Sequence, residues 1–309
     1  MSFPVAAGNV VSPAYSGTFI PEIWSGKLIE KFYLSTVLSA ISNTNYEGEI
    51  KGQGDKVKIR TRPTLTINDY QAGQTLINQR PTSDNVELLI DKGKYWSAIA
   101  DDVLTIQADI DQMNIWSADA SEQMKIAVDR EVLGSIVPSF HASNRGATAG
   151  KISANINLGV AGTPLALTKV NVIDLLVDLN EVLSQQNIPE TGRFVVLPFW
   201  ATSLLKKSDL KDASLTGDGV SVMRNGRLGM IDGLTLYNSN NLAHVTDSGF
   251  SCANIIAGHT NGLTFASQLV KTETLRAEST FGDIMRGLQV YGYKVIDSTA
   301  LTAAYVYKA

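Results

Sequence analysis

The sequence predicts an α+β fold that combines an extended hairpin, a long helix, an α/β region and a β-rich tail. Residues 55–62 and 84–91 each alternate between apolar and polar side chains, which is typical of half-buried strands. Residues 101–137 contain no proline and repeat apolar residues at helical spacing. From residue 166, helix and strand patterns alternate, and from residue 265 strand patterns continue alone. These three observations define the predicted class.

Residues 1–48 are predicted to form an N-terminal arm followed by one helix. Proline, glycine and serine recur through residues 1–20, and the apolar residues there follow neither helical nor strand spacing. This pattern indicates an extended chain. The arm is apolar enough that we expect it to lie against another surface. Pro21 and Glu22 suit a first helical turn, and the apolar stripe that follows fades near Asn43.

Residues 49–99 are predicted to form an extended loop built on a β-hairpin. The alternating segments 55–62 and 84–91 form its two strands, and about 20 residues separate them. A loop of that length inside a compact domain is usually functional. Its composition is polar, so we expect its tip to contact something other than the chain's own core.

Charged residues on the hairpin are the candidate contact residues. They are Lys58, Arg60, Arg62, Glu87 and Asp91. Because one strand carries the cations and the other the carboxylates, we predict ion pairing across the strands or between chains. Nucleic-acid binding is the alternative, and the absence of interleaved aromatic residues disfavours it.

Residues 100–165 are predicted to hold a long helix, over residues 101–137, and a connector rich in glycine and asparagine. Asp101 and Asp102 suit the helix N-terminus because carboxylates there interact favourably with the helix dipole. A break is expected near residues 111–114. Because this helix is much longer than the average of about 12 residues, we expect it to serve as a structural support.

Residues 166–264 are predicted to alternate between helix and strand. Thr168 caps a first helix, and Pro198 opens a second. The strands expected in this region cover residues 194–197, 230–237 and 255–257. Residues 265–309 form the β-rich tail. Its expected strands cover residues 265–276, 288–297 and 301–307.

Composition excludes several classes of protein. Charged residues make up 18% of the chain, against about 25% in an ordinary soluble protein. The net charge of −4 disfavours a dedicated nucleic-acid binder. A single cysteine, Cys252, excludes an internal disulfide and any site with several cysteine ligands. No apolar stretch is long enough to cross a membrane, and the N-terminus lacks a secretory pattern, so we expect a soluble protein made in the cytosol.

Searches for catalytic chemistry find no motif. The nearest match to a phosphate-binding loop surrounds Gly150 and fails at Arg145 and Ile152. None of the three histidines has a partner at metal-ligand spacing. The carboxylates near residues 101–111 invite a cation site, but helix capping explains them better. We therefore expect no enzyme and no cofactor. An α/β enzyme that uses Asp174, Asp178 or His259 is the minor alternative.

Three segments resemble the major capsid proteins of tailed bacteriophages with the Hong Kong 97-like fold. One is IPEIWSGKLIEKFYLSTVLSAISNTNYEGEIKGQGDKVKIRTRPTLTINDY near the N-terminus. Another is NGRLGMIDGLTLYNSNNL over residues 225–242. The last is AGHTNGLTFASQLVKTETLRAESTFGDIMRGLQVYGYKVIDSTAL over residues 257–301. The resemblance covers nearly the whole chain in the same order.

The resemblance implies an anatomy. Residues 1–48 would be the N-terminal arm and helix, and residues 49–99 the extended loop that overlaps a neighbouring subunit. Residues 100–165 would form the peripheral domain around a spine helix, which also takes the C-terminal strands of residues 265–309. Residues 166–264 would form the axial α/β domain, which meets its equivalents in pentamers and hexamers.

The resemblance also implies a function and partners. Many copies would assemble in the host cytoplasm into the icosahedral shell of a virion, around packaged double-stranded DNA held without sequence-specific contacts. Scaffolding and portal proteins would be further partners, with no cofactor and no membrane. A cellular shell protein of the encapsulin type shares this fold and is the alternative.

Overall fold

The computed structural model describes residues 33–34, 36–46, 56–61, 63, 65–83, 85–102, 112–208, 229–278 and 280–309. The predicted arm, most of the helix predicted after it, and Arg62 lie outside these residues. The helices are α1 (Leu38–Ile41), α2 (Gln112–Ser135), α3 (Val172–Gln185) and α4 (Phe199–Lys207). The strands are β1 (Lys56–Arg60), β2 (Asn85–Leu89), β3 (Lys92–Asp101), β4 (Leu165–Leu167), β5 (Arg193–Leu197), β6 (Met230–Ile231), β7 (Leu234–Asn238), β8 (His244–Asp247), β9 (Phe250–His259), β10 (Leu263–Arg276), β11 (Gly282–Val295) and β12 (Leu301–Lys308).

A mixed seven-stranded sheet forms the larger core, in the order β4-β12-β9-β5-β7-β6 with β8 on β9. Strand β5 is buried along its whole length because both faces of the sheet are covered. Val195 and Leu197 pack with α3 and α4 on one face, while Phe194 and Val196 pack with α2 on the other. The helices and strands predicted in this region are present, although α3 begins after Asn171 rather than at Thr168.

Strand β12 corrects the expected division of the tail. We expected residues 265–309 to belong together, but β12 lies between β9 and β4 in the seven-stranded sheet. The reason is its burial on both sides. Ala304 and Val306 pack in the core with α3 and α4, and Leu301 and Ala303 pack in the core with α2. A strand with two apolar faces fits only a sheet that is covered twice.

A second sheet has three antiparallel strands in the order β10-β11-β3. Helix α2 lies against one face of it. Asp101 is the last residue of β3, and the next residue, Asp102, has helical conformation. The Asp102 carboxylate pairs with Arg276 of β10. Helix α2 begins at Gln112 and is continuous to Ser135, and the start of the predicted break, residue 111, lies outside the described residues.

None of the helices in the described ranges is long and apolar enough to cross a membrane. The apolar faces of α2 and α3 are instead buried against the sheets. The three-stranded sheet positions the β1–β2 hairpin and the long loop that it carries.

Candidate functional site

The predicted hairpin is present as the antiparallel pair β1–β2, in which Lys56 lies opposite Leu89 and Arg60 opposite Asn85. Ile59 and Leu88 are buried, and they pack with Ile90 and with Ala266 of β10. Gly292 of β11 permits the close approach, because a Cβ atom there would lie 2.0 Å from the carbonyl oxygen of Leu89. The hairpin is therefore seated on the three-stranded sheet through its apolar face.

Two of the candidate charges pair with each other within the chain. Lys58 lies opposite Glu87 in the ladder, and its Nζ is 3.6 Å from the Glu87 Oε1. Lys56 Nζ lies 3.9 Å from the same oxygen. All three side chains are close to half exposed, so these pairs add little stability. This is the cross-strand form of the predicted pairing.

The other candidates are not brought together. Arg60 is exposed opposite Asn85, and no carboxylate of the described residues lies within 4.0 Å of it. Asp91 is exposed in the link between β2 and β3. Arg62 lies outside the described residues. Arg60 and Asp91 thus present charge outward.

The loop between β1 and β2 exposes a set of apolar side chains that the sequence analysis overlooked. Ile67 is 90% exposed and Ile77 is 80% exposed. The remaining members of the set, which we call the loop patch, are Leu65, Tyr70 and Leu76. The sequence predicts a polar loop because these residues are scattered among amides and threonines. Large apolar side chains exposed together on one loop are typical of a site of protein contact.

Hydrogen bonds from side chains to the backbone join the two arms of this loop. The side-chain amide of Gln79 accepts from the Thr66 N–H (3.0 Å) and donates to the Thr66 carbonyl (2.7 Å). Closer to the strands, the Ser83 hydroxyl donates to the Thr61 carbonyl (2.7 Å). At the tip, the Gln71 N–H donates to Gln74 Oε1 (3.1 Å). The loop is therefore ordered by local polar bonds.

A second exposed surface lies on the face of the three-stranded sheet away from α2, and we call it the outer sheet face. Its centre is an ion-pair cluster in which Glu273 binds both Lys271 and Arg286. Hydrogen bonds from these two cations lower the pKa of Glu273. Large apolar side chains flank the cluster. They are Tyr95, Ile99, Leu275 and Leu288, and Tyr95 is 81% exposed.

The opposite face of this sheet is tied to α2 by Glu131. Its carboxylate lies 2.6 Å from Lys94 Nζ and 3.5 Å from Lys92 Nζ, and it accepts from the Tyr291 hydroxyl at 2.9 Å. Burial opposes its charge, but the hydrogen bonds from Lys94 and Tyr291 outweigh it and lower the pKa of Glu131. The sheet is thus fixed on the helix through charged groups.

Asp129 joins three parts of the chain. Its Oδ1 accepts from the N–H groups of Val37 (3.2 Å) and Leu38 (2.9 Å), and its Oδ2 accepts from the Asn241 amide (2.6 Å). The side chain is buried. Burial raises the pKa of Asp129, although the three hydrogen bonds it accepts act in the opposite direction.

The three residues of the enzyme alternative, Asp174, Asp178 and His259, are not arranged as a catalytic site in the described structure. Asp174 and Asp178 lie on α3, where burial and then the charges of Glu181 and Asp174 raise the pKa of Asp178. The ring of His259 accepts from the Asn261 N–H at the end of β9. In the described ranges, no group of three or more His, Cys, Asp or Glu side chains could hold a metal ion.

Comparison with solved structures finds close similarity in fold. A structure from Mycobacterium phage Che8 has a TM-score of 0.77 and 27% identity, covering 94% of this chain and 98% of that one. The capsid structure of cyanophage P-SCSP1u has a TM-score of 0.71 and 14% identity over 94% and 93% of the two chains. The capsid of a native GTA particle has a TM-score of 0.64 and 14% identity over 98% and 100%.

No protein-family model and no curated protein matches the chain. The structural matches nevertheless extend over nearly its full length. The protein therefore has the fold of tailed-phage capsid proteins, with mixed α and β elements, as the sequence resemblance implied.

Proposed function

We propose that the protein is the major capsid protein of a tailed bacteriophage, many copies of which form an icosahedral shell. The observation that carries this conclusion is the match to phage capsid structures over nearly the whole length of both chains. The protein is a structural component of the virion rather than an enzyme. The shell would enclose double-stranded DNA, and the net charge of −4 suits a container that does not grip phosphate.

The loop patch is proposed to contact a neighbouring copy in the shell. Burial of one Ile or Leu side chain contributes about 1.5–3 kcal/mol. The free chain forgoes this gain at Ile67, Ile77 and the three other residues of the patch. A second copy supplies the missing apolar partner, because every subunit of a shell meets the same surfaces on its neighbours.

Two further surfaces are proposed to face neighbouring copies. Arg60, together with Arg62 two positions later in the sequence, would pair with carboxylates of another copy, since Glu87 is already engaged by Lys58. Asp91 would serve as an acidic partner in the same kind of contact. The outer sheet face combines apolar side chains with paired charges, which is the composition of a protein interface.

The division into an arm, an extended loop, a peripheral domain and an axial domain is likewise proposed. The seven-stranded sheet with α3 and α4 would be the axial domain, which meets its equivalents in pentamers and hexamers. The three-stranded sheet with α2 would be the peripheral domain. In this division β12 is assigned to the axial sheet because of its pairing. Scaffolding and portal proteins are the further partners proposed.

Electron microscopy of the expressed full-length chain tests the shell function. We expect closed shells to appear as the protein is concentrated, first with no added protein and then with a candidate scaffolding protein. Strictly monomeric protein under every assembly condition contradicts the proposal. Neighbouring genes separate the two kinds of shell: portal and terminase genes accompany a virus, and a cargo-enzyme gene accompanies a cellular compartment.

A further inference from the structure

The two arms of the long loop are joined by an amide that acts like a peptide group. A side-chain amide offers one acceptor oxygen and a donor nitrogen in one plane. Gln79 uses both on the backbone of Thr66, at 3.0 Å and 2.7 Å. This is the pair of bonds that a neighbouring residue makes in a hydrogen-bonded position of an antiparallel ladder.

The position of this pair in the loop is informative. Thr66 lies between Leu65 and Ile67, and Gln79 follows Ile77 by two residues. The Thr66–Gln79 hydrogen bonds therefore join the two arms of the loop at points close to the apolar residues of the loop patch. All of these side chains are exposed, so their packing within the chain cannot hold the arms together.

We propose that Gln79 is a positioning residue for assembly, whose amide closes the two loop arms so that the loop patch is presented preformed to the neighbouring copy. The inference rests on the proposed shell function. A loop that is ordered before contact loses less conformational freedom on binding, and this raises affinity without any new contact. The bond is exposed in the free chain, so its removal changes the folded subunit little.

The test compares Gln79→Ala with Gln71→Ala in the full-length chain. Gln71 lies in the same loop, and its side chain forms no hydrogen bond with the described residues. Light scattering gives the protein concentration at which assembly begins, and circular dichroism gives the Tm of the unassembled subunit. For Gln79→Ala we expect the onset concentration to rise about five- to tenfold at an unchanged Tm. Gln71→Ala should match the wild type.

Gln79→Glu supplies a pH signature that a merely structural role lacks. An ionised carboxylate accepts from the Thr66 N–H but has no proton to donate to the Thr66 carbonyl. Protonation near pH 4.3 restores that donor. We therefore expect the assembly defect of Gln79→Glu, relative to wild type at the same pH, to shrink as the pH falls through this range.

The outcomes are distinct. Wild-type shells together with normal assembly of Gln79→Ala overturn the inference and leave the shell function intact. A fall in Tm that accounts for the loss of assembly also overturns it. Wild-type protein that forms no shell removes the proposed function, and the inference falls with it.

Discussion

At the scale of single residues, buried polar side chains join segments that are distant in sequence. Asp129 holds the segment that contains α1 and the segment before β8 to helix α2. A carboxylate is suited to this position because its two oxygens accept several hydrogen bonds at once. Removal of an acceptor leaves buried N–H groups unpaired, and this costs more than the bond itself contributed.

Asp129→Ala is expected to lower the free energy of unfolding by about 2–4 kcal/mol, because the N–H groups of Val37 and Leu38 lose their acceptor. Asp129→Asn keeps one acceptor oxygen and should cost less. Urea denaturation of the unassembled subunit measures both. Equal losses for the two variants would contradict the assigned role of the acceptor oxygen.

The pH dependence of stability has a defined sign at this site. Because burial raises the folded-state pKa of Asp129, the folded chain binds this proton more tightly than the unfolded chain. The stability that this tighter proton binding contributes is fully present below the pKa of Asp129 in the unfolded chain. It is lost as the pH rises through the pKa of Asp129 in the folded chain. The stability of wild type relative to Asp129→Asn should therefore decline with rising pH in denaturation curves. A flat difference across the acidic range contradicts this.

At the scale of elements, the hairpin has a buried face for the chain itself and an exposed loop for other contacts. Ile59 and Leu88 seat it on the three-stranded sheet. The loop between β1 and β2 carries Ile67 and Ile77, whose exposed side chains do not pack in a hydrophobic core. The two groups of apolar residues differ in their consequences, since one stabilises the subunit and the other is available to a neighbour.

Ile67→Asp and Ile77→Asp are expected to change the free energy of unfolding by less than about 0.5 kcal/mol, since both residues are exposed. The same changes should raise the onset concentration of assembly at least about tenfold. Leu88→Ala is the matched comparison and should cost about 2–5 kcal/mol of stability because it opens a cavity. Normal assembly by both loop variants would exclude the loop patch as a contact.

Reversal of Arg60 and Arg62 to Glu is expected to impair assembly more than folding. Arg60 is exposed and has no described carboxylate within ion-pair distance, so its charge adds little to the free subunit. Sedimentation of the assembled fraction and the Tm of the free subunit are the measurements. Lys169→Glu, at an exposed position in the turn before α3, is the control. A fall in Tm as large as the fall in assembly would show that the arginines serve the fold.

At the scale of the whole molecule, β12 links the end of the chain to the main core. It lies between β4 and β9, so residues more than a hundred positions apart share one sheet. Such long-range pairing makes the C-terminal strand part of the fold rather than an appendage.

Ala304→Asp is expected to destabilise the subunit by about 3 kcal/mol or more, because it places an unpaired carboxylate in the core with α3 and α4. Lys308→Asp, at the exposed end of the same strand, should be tolerated. Soluble yield and urea midpoints distinguish them. Equal stability of the two variants would contradict the placement of β12.

The sequence by itself determined the features that depend on local periodicity. The alternation of residues 55–62 and 84–91 predicts the hairpin and its faces, and the apolar spacing of α3 predicts the face that it buries. Together with the resemblance of three segments, these patterns also predict the capsid fold. Local patterns succeed because side-chain direction repeats every two residues in a strand and every 3.6 in a helix.

Only the tertiary structure decided which elements meet. The pattern of β12 does not reveal its partners, and the carboxylate of Asp102 pairs with Arg276, which is far away in sequence. The loop patch also became visible only in three dimensions. Five scattered apolar residues look ordinary in a sequence, and their meaning depends on whether any core lies within reach. Burial belongs to the whole packed chain, so local periodicity cannot assign it.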